Sequence, residues 1–110
     1  MAKLMLFYDG WNVPSHTAES IENYLIRGLQ PGGFVTSVLA NDLLGAATSC
    51  DYINKERIVD IVKWVAAFAP VGSWGSYDNV GGWIEDKDGL RTRYADVIEK
   101  RFIWEKLQQK

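Results

Sequence analysis

The chain has one cysteine, one histidine and three prolines among 110 residues, and each scarcity removes a class of protein. A single cysteine, Cys50, excludes an intrachain disulfide and fits a reducing compartment. With His16 and Cys50 far apart in sequence, a structural zinc site cannot be assembled within the chain. No apolar run approaches the ~20 residues needed to span a bilayer, so no membrane partner is expected. The opening MAKLMLFYDGWN lacks a long signal-type apolar region and a small-residue cleavage site, and Asp9 interrupts it. These features point to the cytoplasm.

Catalytic and cofactor motifs are also missing. Asp86-Lys87-Asp88-Gly89 looks like a fragment of a calcium loop, but the position of the closing bidentate glutamate is Val97. Gly72-Ser73-Trp74-Gly75-Ser76 lacks the lysine of a phosphate loop, and its glycine spacing is not the dinucleotide fingerprint. His16 sits between Ser15 and Thr17 in a turn-like setting, and Cys50 has no neighbouring histidine. No cofactor, metal or catalytic residue is expected.

What the chain does have is apolar bulk, at 47% of residues, which argues for a packed globule. At this length it should be one domain, since a second core would be too small to stand alone. The formal charge of −2 is unevenly spread, with −5 over residues 1–86 and +3 over 87–110. An acidic body with a basic tail argues against a nucleic-acid binder, which would carry a basic face through the domain.

Hydrophobic spacing predicts a mainly α fold: a small helical bundle of four to five helices, with a minor β element near the N-terminus from Lys3-Leu4-Met5-Leu6-Phe7-Tyr8. A first helix starts near Ser15 or Thr17, carries Ile21, Tyr24, Leu25 and Leu29 on one face, and stops at Pro31-Gly32-Gly33. A second, about 34–47, is apolar nearly all round and should be central and buried. A third is capped by Asn54, lined by Ile58, Ile61, Val62, Val65 and Phe68, and ended by Pro70. Asp78 is the expected cap of a short fourth helix through Ile84. Around the tight-turn signal Asp88-Gly89, residues 83–94 read either as helix ends or as a hairpin. The last helix, about 92–108, should pack Val97, Ile98 and Phe102 on the body. That leaves Ile103, Trp104 and Leu107 for a homodimer or a target.

Gly72–Trp83 is the most distinctive stretch, with two tryptophans, a tyrosine and four glycines. Glycine permits left-handed turns, and tryptophan supplies a large stacking face. Trp74, Gly75, Ser76 and Tyr77 are therefore candidates for a ligand- or partner-binding turn, where successive amides could hold an anion. The simpler reading is that the rings pack inward and the glycines permit the turn. Asn41-Asp42, polar within the apolar second helix, has the same two readings: a binding position, or a structural tie to a turn such as Gly72–Ser76.

An ordered set of residues gives a resemblance. Tyr24…Gly28, Pro31-Gly32-Gly33-Phe34, Val38-Leu39-Ala40-Asn41-Asp42-Leu43, Asn54, Ile61-Val62, Ala69-Pro70 and Trp74-Gly75-Ser76…Val80…Trp83 succeed one another over residues 17–85. In this the chain resembles a widespread family of small, uncharacterised proteins of tailed bacteriophages and prophages. Members tend to end soon after the position of Trp83, so the basic extension over 87–110 and the N-terminal apolar segment depart from the pattern. The resemblance implies a phage source and no defined reaction.

Together these readings lead to an expectation of a non-enzymatic phage accessory protein in the host cytoplasm. It would bind and modulate a host or phage macromolecule, in host takeover or in anti-defence of the anti-CRISPR kind. The competing expectations are a protein that sequesters a small ligand or nucleotide signal, and a minor virion component.

Overall fold

The structure, a computed structural model, describes residues 12–50 and 52–97. These form six α-helices: α1 (Ser15–Arg27), α2 (Gly33–Leu39), α3 (Leu43–Ser49), α4 (Tyr52–Lys55), α5 (Ile58–Phe68) and α6 (Tyr77–Ile84). A 3-10 turn at Lys87–Gly89 and a helical stretch over 90–97 come after them. The mainly α expectation holds. No strand occurs among the described residues, and the apolar segment 3–8 lies outside them.

Helix α1 reflects its residue spacing, because Ile21, Tyr24 and Leu25 face inward and are almost completely buried. It ends where Gly28 turns left-handed at φ 69° and returns its N–H to the Tyr24 carbonyl at 3.0 Å. Leu29, expected on the same face, lies beyond this turn and is exposed. Neither Ser15 nor Thr17, both expected as caps, caps α1: the cap position is Pro14, and Ser15 is already the first helical residue.

The count of four to five helices is corrected by a break in the expected second helix. Asn41 takes φ 62°, and the Asp42 carboxylate accepts the Gly45 N–H at 2.9 Å, which starts α3 afresh. The left-handed residue turns α3 away from the face of α2. Phe34, Val35 and Leu39 of α2 are therefore buried, while Leu43 and Leu44 of α3 are 75% and 79% exposed. The expectation that this whole stretch is buried fails from residue 43 onward, with Ala46 the exception.

Asn54 does not cap the third expected helix. It lies in α4, and α5 starts at Ile58 after Arg57. The Asn54 side chain is buried and accepts the Thr17 hydroxyl at 2.6 Å, tying α4 to α1. Helix α5 buries Ile61, Trp64 and Val65, leaves Val62 exposed, and ends at Ala69, which is extended as the residue before Pro70 must be. Ser76, not Asp78, caps α6: its hydroxyl accepts the Asn79 N–H at 3.1 Å.

Among the described residues, Tyr24, Trp64 and Trp83 are the largest buried side chains. Trp83 donates its indole N–H to the Leu25 carbonyl at 3.2 Å, and Tyr24 donates its hydroxyl to the Ser73 carbonyl at 2.6 Å. Both polar handles are thereby satisfied inside an apolar core. Burial pushes the Tyr24 phenol pKa well above its ordinary value.

Residues 83–94 form helix ends and no hairpin. Asp86, Asp88 and Gly89 all take positive φ, and the Asp86 carboxylate accepts both the N–H and the hydroxyl of Thr92. Tyr94 then packs edge-to-face with Trp83, their ring centroids 5.7 Å apart. Val97, expected to pack on the body, is exposed, and Tyr94 supplies that contact. Ile98, Phe102 and the interface candidates Ile103, Trp104 and Leu107 lie outside the described residues. Among the described residues no helix is long and apolar enough to cross a membrane.

Candidate functional site

The two polar segments singled out in the sequence meet in space. The α2–α3 link carries Asn41 and Asp42, and the turn before α6 carries Trp74 to Ser76, with Tyr77 the first residue of α6. Gly75 donates its N–H to the Leu39 carbonyl at 2.7 Å, joining the turn to the end of α2. Beside it, the Tyr77 hydroxyl donates to the Asp42 carboxylate.

This arrangement shifts both titrating groups. The Tyr77 hydrogen bond, then the Gly45 amide, hold the Asp42 carboxyl below its ordinary value. The carboxylate in turn raises the Tyr77 phenol. Gly45 makes the cluster sterically feasible: a Cβ there would lie 2.7 Å from the Ser37 Oγ and closer still to the Asp42 carboxylate.

The aromatic turn spends most of its polar groups internally. Trp74 is half-buried and donates its indole N–H to the Ala69 carbonyl at 3.3 Å. The Asn79 amide donates to the Trp74 carbonyl at 2.9 Å, and Ser73 returns its N–H to Pro70 at 3.0 Å. Gly72 and Gly75 take φ 100° and 116°, so the glycines serve the turn. Of the candidate set, Asp42 and Tyr77 are in direct contact, while Asn41 stands exposed at the left-handed position.

Next to this tie lies a groove of about 220 Å³ between α3 and α5. Val38, Leu43, Ala46, Ile58 and Val62 form its apolar lining, and Ser37, Asn41 and Asp42 its polar lining. Leu44 of α3 and Val59 of α5 are exposed on the same two helices. Sequence reasoning missed this face because Leu43, Leu44 and Val62 read as core. The available signal was Asp42 with Gly45 three positions on, a helix start that separates the leucines from the face of α2.

Among the described residues no group of three or more His, Cys, Asp or Glu side chains could hold a metal ion. No family model, no curated protein and no solved structure matches the chain.

Proposed function

We propose that the protein acts by binding another protein through the α3–α5 groove, as a non-enzymatic phage accessory protein that modulates a host target in the cytoplasm. The observation that carries this reading is the exposure of Leu43 and Val62 in the groove, with Leu44 and Val59 on the same helices. Exposed apolar side chains gathered at a concave surface mark interaction sites.

The groove favours a definite partner chemistry. An amphipathic helix presenting apolar side chains at i, i+3 or i+4, i+7 spacing suits a channel between two helices. Asp42 is the charged residue of the described lining, and its lowered pKa keeps it ionised at neutral pH. A carboxylate has more acceptor positions than the two bonds from Tyr77 and Gly45 occupy. A Lys or Arg flanking the partner's apolar stripe would complement it. The phage source comes from the sequence resemblance alone.

The test is affinity capture from infected-host lysate with three baits: the wild-type chain, Leu43→Asp with Val62→Asp, and the control Val71→Asp at an exposed loop position. A partner retained by wild type and control and lost with the groove variant supports the reading, provided the purified pair rebinds in calorimetry. A stoichiometric partner indifferent to the groove variant overturns it.

A further inference from the structure

A second concavity, of about 290 Å³, opens where α1, the head of α2, the end of α3 and α4 meet. It shares no residue with the α3–α5 groove, so its ligand and the groove's partner can be tested separately.

Gly32 and Gly33 line this cleft, and neither the backbone angles nor any described neighbour requires glycine at either. Gly32 has φ −66° and ψ 173°, open to any residue, and Gly33 is the first residue of α2 without a positive φ. Among the described residues, a Cβ on either would meet no atom within 4 Å. Gly28 and Gly45 differ: each lies where a side chain would collide with a neighbour. Glycine gives up more chain entropy on folding than other residues, and close approach of backbone to a ligand is one of the uses that offset this. The empty space above this pair lies over a cleft, which is where such an approach would occur.

The opposite wall is polar and firmly held. Thr17 and Asn54 are only 1% and 4% exposed, and the 2.6 Å bond between them fixes which end of the amide faces Thr17. Ser20, Ser49 and His16 complete that wall nearer to solvent. Hydroxyls and carboxamides each offer both donor and acceptor capacity. Among the described lining residues there is no carboxylate, ammonium or guanidinium. Phe34 and Val35 add an apolar side.

Such a lining matches a solute whose groups also both donate and accept, and which has a C–H face. We infer that this cleft binds a neutral ring bearing vicinal hydroxyls, as in a free saccharide or the ribose of a nucleoside. Its volume sits at the small end of ligand sites, which run from roughly 300 to 1,000 Å³, and suits a single ring system.

Amide chemical-shift titration of the full chain tests this, using glucose and N-acetylglucosamine in one arm and adenosine and 2′-deoxyadenosine in the other. The expected result is saturable shifts at Ser20, Gly32, Gly33 and Ser49 with a saccharide, or with adenosine in preference to its deoxy analogue. The Gly32→Ala, Gly33→Ala double variant should keep or raise the melting temperature and weaken binding about tenfold or more. Ser20→Ala, which leaves the backbone untouched, should weaken the same ligand. No saturable shift with any probe at millimolar concentration overturns the assignment. So do shifts confined to other surfaces, equal binding of adenosine and its deoxy analogue without saccharide binding, or full affinity in the folded double variant.

Discussion

Tyr77 and Asp42, 35 positions apart in sequence, share a hydrogen bond that joins the first turn of α6 to the cap of α3. The same carboxylate therefore starts one helix and positions another. Because Asp42 also lines the apolar groove, the bond fixes the edge of the proposed docking surface.

The pH dependence of this tie has a defined sign. The folded-state pKa of Asp42 is depressed below 3.8, so its stabilisation is present above that value and is lost as pH falls through the folded pKa. The folded-state pKa of Tyr77 is raised above 10.0, so its contribution is intact below 10.0 and is lost as pH rises through the folded value. Wild type should exceed Tyr77→Phe in urea midpoint across the plateau between these limits, and the two should converge at both extremes. Asp86, whose pKa is lowered chiefly by the Thr92 hydroxyl, titrates in the same acid range and cancels in the difference. A pH-independent gap between the two proteins would show that Tyr77 stabilises the fold without the ionised Asp42 carboxylate.

Replacing Gly28 with alanine should destabilise the fold by about 1–2 kcal/mol from the left-handed backbone alone. The loss should be larger if Arg91 cannot move, since a Cβ would sit 2.6 Å from its Nε. That guanidinium bonds the Trp83 and Ile84 carbonyls at 3.1 and 3.3 Å, linking residues 90–97 to the end of α6. A Gly28→Ala, Arg91→Ala cycle measured by denaturation should therefore be non-additive. Strict additivity would mean that Arg91 gives way freely.

How far the fold can be read from the sequence varies element by element. Helix α1 is legible because Ile21, Tyr24 and Leu25 repeat at helical spacing, although it stops at Gly28 and not at Pro31-Gly32-Gly33. The α2–α3 break is concealed because Leu43 and Leu44 continue an apolar run, and hydropathy does not register the left-handed Asn41 that precedes them. Asn54 misleads for a related reason: a residue suited to capping is equally suited to pairing with a buried hydroxyl, and Thr17 is distant in sequence. Of the candidate site, the link between Asn41-Asp42 and the aromatic turn is foreshadowed by the need of polar groups for partners. The groove and the cleft are not, since each is made by elements that sequence spacing cannot bring together.

The Thr17–Asn54 pair should behave as a buried couple. Thr17→Val keeps the shape and removes the hydroxyl that the Asn54 carbonyl accepts from, at a position only 4% exposed. The expected loss is about 1–3 kcal/mol by chemical denaturation. Adding Asn54→Leu should cost less than the sum of the single changes, because the second substitution removes the acceptor along with its donor. Equal and additive losses would show that the two side chains act independently.

The sharpest prediction contrasts Leu39 with Leu43, two leucines four positions apart that sequence spacing assigns to one buried helix. Leu39 is fully buried at the end of α2, and Leu39→Ala should destabilise by about 2–5 kcal/mol through lost contacts and the cavity left behind. Leu43 comes after the Asn41 turn and faces the groove, so Leu43→Ala should stay within about 0.5 kcal/mol of wild type. Partner binding should show the reverse order. Leu43→Ala should weaken a groove-bound helix, while any loss from Leu39→Ala should track the fraction of folded protein. Denaturation and calorimetry on the same two variants read both quantities. Comparable destabilisation by the two substitutions would place Leu43 in the core and remove the apolar floor on which the proposed docking surface depends.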